Sequence, residues 1–266
     1  MSSIQSAPAV VVGIDGSRAA IHAALWAVDE AISRDTPLRL VHVIDPLQTS
    51  GVSECGNIGA RSALFDAYRA IDVTGKQVKI EAEVLWGRPL TKLMQESRSA
   101  AMICVGSIGL NHARRIGGTV AAALAGSALC PVAVIHRPPD ASASPQVRGV
   151  VVEVDNGVVL RHAFEEARLR AVPLRVIAAR AAQERDGSGD GNRLAQTQLN
   201  RRLARWTRLY PDVRVESTVV ADSVSGYLAG EVDSGQLFVT DSRTAQDLCG
   251  AYGAGSSMLT VPCGNL

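Results

Sequence analysis

The residues best suited to chemistry sit in one short stretch. Gly106-Ser107-Ile108-Gly109 follows the apolar run Ile103-Cys104-Val105, and Gly118-Thr119 stands eight intervening residues further on, heading a helical pattern that begins with Val120. Glycines let a backbone turn sharply and bring bare N–H groups against an anion. A helix N-terminus adds unpaired N–H donors and the positive end of the helix dipole. Thr119 can supply a hydroxyl, and His112, Arg114 and Arg115 lie within the loop to offset negative charge. Such a set suits a nucleotide phosphate. Asp15 closes the run 10–14, and the ends of central strands are where open α/β sheets bind ligands. An acidic group there suits a ribose hydroxyl better than a phosphate. Each residue also has a simpler use. Glycines after a strand mark turns, the loop cations can be solvated, and Asp15 can cap the following helix, a role worth about 1 kcal/mol. The combination within one domain is what points to a nucleotide.

Holding these residues requires strands and helices in alternation. Residues 10–14 and 101–105 are short apolar runs, as strands buried on both faces should be. Ile21, Leu25, Val28 and Ile32 recur at helical spacing, which predicts a helix over 18–34 with that face inward. Leu38–Ile44 is the next strand, followed by a helix over 58–74 that stops at Gly75. Residues 78–85 alternate like a strand near a sheet edge, and Pro89 opens a helix reaching Ser99. A small-residue helix over 118–129 and a strand at Val132–His136 complete the series. This order predicts a parallel α/β sheet covered on both faces. Residues 137–146 (RPPDASASPQ) read as a solvated linker.

The chain then repeats itself. Residues 10–43 read VVVGIDGSRAAIHAALWAVDEAISRDTPLRLVHV, and residues 150–179 read VVVEVDNGVVLRHAFEEARLRAVPLRVIAA. Asp15 precedes His22 by seven residues, as Asp155 precedes His162, and both copies reach a Pro-Leu-Arg tripeptide. The second gets there four residues sooner, about one helical turn, so a helix can shorten while keeping its facing. Two similar domains in tandem follow. In the second, strands fall near 148–154, 174–180, 213–220, 236–240 and 257–261, with helices near 157–171, 192–209 and 222–232.

Composition bounds the function. The 266 residues carry 47% apolar and 20% charged side chains, enough for two cored domains. A net charge of +1 argues against gripping nucleic acid or anionic membrane through bulk charge, and 4% aromatics leaves little for base stacking. No apolar run approaches the roughly 20 residues of a membrane span. MSSIQSAP lacks a basic and an apolar region, so no secretory signal is expected. Five cysteines without a CxxC read as reduced thiols of a cytoplasmic protein, with Cys104 and Cys130 buried, and no Cys/His cluster has metal spacing.

VVVGIDGS, LVHVIDP, the Gly87-Arg88-Pro89 turn, VGSIG, Gly118-Thr119 and the closing CPVAVIH together resemble the universal stress protein family, in the tandem form found in mycobacteria and other actinobacteria. The resemblance is strong over 8–138 and weaker over 147–262. It implies two Rossmann-like domains of the adenine nucleotide alpha hydrolase-like kind, at 1–138 and 147–266. Each would be an open parallel sheet of order 3-2-1-4-5, the second shortened. In many members ATP binds through a G-x2-G-x9-G-(S/T) loop. Carried over by position, Asp15 meets the ribose or adenosine end and the Val43 backbone meets adenine. Gly106, Gly109, Gly118 and Thr119 surround ribose and phosphates, and Val120 begins the helix. The loop here is one residue short, so ADP and cyclic AMP stand beside ATP as ligands, with Mg2+ only as nucleotide counter-ion.

The second copy departs further. Glu153 and Asn156 replace Gly13 and Gly16, and Thr240-Asp241-Ser242-Arg243 occupy the glycine-loop region, where Asp241 would repel phosphate. It reads as a degenerate partner domain without nucleotide. Arg201, Arg205 and Arg208 share one face of its 192–209 helix, opposite Leu199, Leu203, Trp206 and Tyr210. That is either a solvated face or a surface for an acidic protein partner.

The leading expectation is an adenine-nucleotide-binding stress-response sensor or regulator, with ATP hydrolysis at most slow and incidental. No Walker motif, carboxylate pair or nucleophile–base motif appears. The rivals are a nucleotide-free signalling module on the same fold and an ATP pyrophosphatase. The last strands, Val132–His136 and Ser257–Val261, are apolar edges, and exposed edges invite pairing. They are expected to join the halves as an intramolecular pseudo-dimer. Residues 1–140 expressed alone should therefore be less stable than the whole chain or self-associate. A soluble monomeric fragment of equal stability and full nucleotide affinity would refute that covering role.

Overall fold

The structure is a computed structural model describing residues 8–47, 53–107, 120–136, 147–154, 156–179, 189–220, 235–245 and 256–262, without the side chains of 53–55 and 189–192. The chain divides into two compact units, residues 1–145 and 146–266. The 137–146 linker, the 222–232 helix and the loop holding Gly109, Gly118 and Thr119 lie outside the described residues.

In the first unit, β1 (Val10–Gly13), β2 (Leu38–Ile44), β3 (Ile80–Trp86), β4 (Met102–Ser107) and β5 (Val132–His136) form a sheet of order β3-β2-β1-β4-β5. Every pairing is parallel, with Val12 opposite both Leu40 and Cys104. This is the 3-2-1-4-5 order expected. Helices α1 (Arg18–Ser33) and α2 (Ser53–Asp72) pack on one face. On the other, Leu93 of α3 (Pro89–Glu96) and Leu124 of α4 (Val120–Ser127) join Val11, Val41, Ile103 and Val105 in a closed apolar cluster. The residues between these in sequence, Val10, Val12, Leu40 and Cys104, are completely buried as well, as a sheet covered on both faces requires. Cys104 and Cys130 are buried and in no disulfide among the described residues, and burial pushes the Cys130 thiol up to about 12.

The inward face of α1 differs from the expected one. Ile32 is exposed, while Ala19, Ala20, Ala23, Ala24, Ala27, Val28 and Ala31 are buried together with Trp26. The cause is close approach. A Cβ added to Gly106 on β4 would lie 2.3 Å from the Ala19 carbonyl carbon and 2.6 Å from the Ala20 nitrogen. Backbone meets backbone here, so the helix offers alanines to the sheet and turns its larger side chains aside.

The second unit repeats the plan: β6 (Gly149–Glu153), β7 (Leu174–Ala179), β8 (Val215–Val220), β9 (Gln236–Asp241) and β10 (Ser257–Val261), in the order β8-β7-β6-β9-β10, again with parallel pairings. Helix α5 (Gly157–Leu169) has 13 residues against 16 in α1, so the sequence deletion is taken inside the helix. Both helix ends keep their construction. Glu30 and Glu166 are buried and pair with Arg34 and Arg170, each at 3.1 Å. Asp35 and Ala171 then take left-handed φ of 50° and 51°. Thr36 N–H donates to Ala31 at 3.0 Å, and Val172 N–H to Ala167 at 3.0 Å, before each proline. Phe164 of α5 stacks with Trp206 of α6 (Gly189–Leu209) at 5.8 Å and with Tyr210, just after that helix, at 5.2 Å.

Strand register pairs Val10 with Met102 and Val150 with Leu237, so the second unit carries Asp241 where the first has Gly106, and this meeting of backbone with backbone is particular to the first unit. Gly106→Ala should therefore destabilise the chain by about 1–3 kcal/mol or more in urea unfolding.

Candidate functional site

In a sheet of this order the chain leaves β1 towards one face and β4 towards the other, which opens a crevice beyond their carboxyl ends. A cleft of about 410 Å³ lies at that point, within the usual range for small-molecule sites. Its wall comes from Gly13, Ile14 and Asp15 after β1, from His42, Val43 and Asp45 of β2, and from Val105 and Gly106 of β4. Leu93 of α3 and the first-turn residues Val120 and Ala121 of α4 complete it. Four of the expected site residues thus meet there: Asp15, Val43, Gly106 and Val120. Gly109, Gly118 and Thr119, with His112, Arg114 and Arg115, lie outside the described residues.

Asp15 is not the helix cap. Ser17 is the N-cap of α1, its Oγ accepting from Ala20 N at 3.1 Å. Asp15 Oδ1 instead accepts from Ser17 N at 2.9 Å and shapes the preceding turn, where Gly16 takes φ +84°. Its carboxylate is exposed and retains acceptor capacity. Asp45 does the same after β2, with Oδ1 accepting from Leu47 N at 3.0 Å. Gly106 has a structural duty, the contact with α1, beside its place in the wall. Gly13 has a spatial one: a Cβ there would come within 3.3 Å of Val105 and 3.4 Å of Leu93.

His42 and Asp45 were not among the expected residues. Both flank Val43 at the carboxyl end of a strand, so the rule that placed Asp15 would also have found them. His42 is partly buried, and its Nδ1 has no hydrogen-bond partner among the described residues. The cleft is polar in one direction. Asp15 and Asp45 put carboxylates on the β1–β2 side, which suits hydroxyl or amine donors. The first turn of α4 stands on the β4 side, where helices carry N–H groups without intrahelical acceptors. Among the described residues no three His, Cys, Asp or Glu side chains are grouped to hold a metal ion.

The second unit uses its matching positions otherwise. Asn156 caps α5, its Oδ1 accepting from Val158 N at 2.9 Å, so the helix starts one residue early and the turn made by Gly16 is not needed. Asp241, at the end of β9, accepts from Arg243 N and Thr244 N, both at 2.8 Å. Backbone donors that could meet an anion are taken by the chain's own carboxylate. Glu153 ends β6 where Gly13 ends β1.

Burial lowers the His42 pKa below 6.5, against the opposing pull of the Ile14 backbone and the Asp15 charge, and burial lowers that of His136 too. The unfolded chain therefore takes up protons before the folded one as pH falls. The stability tied to both histidines is present above about pH 6.5 and is lost as pH drops through their folded values. Urea midpoints measured against pH should fall below that point, and His42→Gln with His136→Gln should flatten the slope.

A profile of the Universal stress protein family matches residues 8–136. A universal stress protein of Mycobacterium tuberculosis strain H37Rv is 63% identical over 268 residues, covering 100% of both chains. Another from the same strain is 41% identical over 280 residues, covering 98% of each. In three dimensions, the crystal structure of a universal stress protein from Archaeoglobus fulgidus aligns over 97% of both chains with a TM-score of 0.68 at 12% identity. No helix among the described residues is long and apolar enough to cross a membrane. With a full-length relative at 63% identity and the expected strand order in each unit, the chain belongs to the universal stress protein family.

Proposed function

We propose that this chain binds one adenine nucleotide, within residues 8–138, and acts in the cytoplasm as a stress-response sensor or regulator rather than as a metabolic enzyme. The observation that carries this reading is the cleft where Asp15, Val43, Gly106 and Val120 meet. Its two sides match the two ends of a nucleotide. The carboxylate side accepts from ribose hydroxyls or the adenine amine, and the α4 side faces the phosphates, to which the family pattern also assigns Gly109, Gly118 and Thr119. ATP is the ligand the family pattern favours, with ADP and cyclic AMP as competitors because the loop is one residue short. Residues 147–266 are read as a degenerate domain: Asp241 and Glu153 put side chains where the first domain has Gly106 and Gly13, and Asp241 occupies backbone donors of its own chain.

Calorimetric titration of the full chain with ATP, ADP and cyclic AMP tests this. One site per chain is expected, and two equivalent sites would overturn the asymmetry. Asp15→Ala removes a charged hydrogen bond worth about 1–3 kcal/mol and should weaken binding by roughly tenfold or more. Gly109→Val should weaken it by blocking backbone approach. Unchanged affinity in both variants, or no binding by the parent chain, would remove the nucleotide reading in favour of a nucleotide-free module.

A further inference from the structure

Helix α6 carries a charge pattern that the fold does not use. Arg193, Arg201, Arg202, Arg205 and Arg208 are all exposed, and none is in an ion pair among the described residues. Residues 193–209 contain no aspartate or glutamate. Elsewhere the second unit answers its helical arginines with carboxylates one turn away, as in Arg161–Glu165 and Arg170–Glu166. On α6 the i,i+4 and i,i+3 neighbours of Arg205 are Arg201 and Arg208, like charges that repel in the isolated chain. Arg201, Arg205 and Arg208 fall on the side of the helix opposite buried Leu199 and Leu203, with Arg193 at the margin of that side nearer the helix start. At 1.5 Å per residue they span roughly 22 Å. Leu194 and Leu209, exposed at 54% and 57%, stand towards either end of the stripe.

We propose that this face of α6 docks an acidic amphipathic segment of another protein, its carboxylates on the arginine stripe and an apolar side chain against each leucine. Charge complementarity selects the partner, and the use of arginine throughout favours carboxylates met two-pronged. A membrane fits less well, because the apolar face that would enter lipid is already spent. Leu199 and Leu203 are buried, and Trp206 and Tyr210 stack on Phe164. Nucleic acid fits less well too. Residues 146–266 hold as many carboxylates as arginines and no lysine, so no domain-wide positive field exists, and those aromatics are turned inward.

The test is fluorescence anisotropy with the full chain at physiological salt. The probes are a helical peptide with glutamates at i, i+4 and i+7 and a leucine towards each end, its scramble of equal composition, duplex DNA, and phosphatidylserine vesicles. The ordered peptide should bind best. Combining Arg201→Glu, Arg205→Glu and Arg208→Glu should weaken it by about tenfold or more. The matching Arg→Lys triple should lose several-fold while keeping the charge. Helicity and nucleotide affinity should not change in either variant. Equal binding of ordered and scrambled peptides, no loss in the Glu variant, or tighter binding of DNA or vesicles through the same arginines would each overturn the proposal.

Discussion

The first unit is organised around one contact in which no side chain takes part, the meeting of Gly106 on β4 with the backbone at Ala19 and Ala20. Any Cβ at position 106 would overlap main-chain atoms, which cannot swing aside as a flexible side chain can. The start of α1 is thereby pinned to the sheet. Ser17 must then cap the helix at that point, and the turn from β1 must be made within Ile14, Asp15 and Gly16. Asp15 is held at the cleft by that turn, with Ser17 N–H fixing its carboxylate. The alanines along α1 follow from the same contact, because bulkier residues would lever the helix off the strands.

With α1 fixed on one face and α4 on the other, the divergence of β1 and β4 leaves a crevice that side chains do not close. Gly13 keeps it open, since a larger residue would press on Val105 and Leu93. What lines the crevice is then set by strand register. Val41 pairs with Gly13, so the residues just beyond, His42 to Asp45, reach the same level as Ile14 and Asp15. The site follows from topology, and the identity of its side chains from pairing.

The order of elements was legible because turn and stop signals carry their own geometry. Pro89 does stand at the first turn of α3, and Gly75 follows α2 at φ +68°. Asp15 was legible through its place at a strand end. The inward face of α1 was not, because periodicity scores large apolar residues, and this helix buries small ones. Nor was the capping of α1, since Asp15 and Ser17 are both good caps and only backbone geometry separates them. His42 and Asp45 went unread although the strand-end rule that picked out Asp15 covers them as well, and register with β1 is what brings them level with it. In α6 the division into buried leucines and exposed arginines was legible, because charge and apolar spacing there agree.

The internal repeat carries a further lesson about what similarity reports. The features the two halves share most closely are His22 and His162, Glu30 and Glu166, and the left-handed turn before each Pro-Leu-Arg. All of them are buried or terminate a helix. They hold a helix against a sheet and return the chain to it, and they do so whether or not a ligand is present. The positions that differ, Gly13 against Glu153 and Gly106 against Asp241, cluster at the carboxyl ends of the strands. Apart from Asp15 and Asp155, which the sequences also share, the common residues therefore speak for the scaffold, and function has to be read from where the copies part. On that ground the proposed roles of the two halves differ although they share one strand order. One leaves a cleft at its strand ends, while the other closes at least one of them with its own carboxylate and carries an exposed arginine face with no ion pair among the described residues.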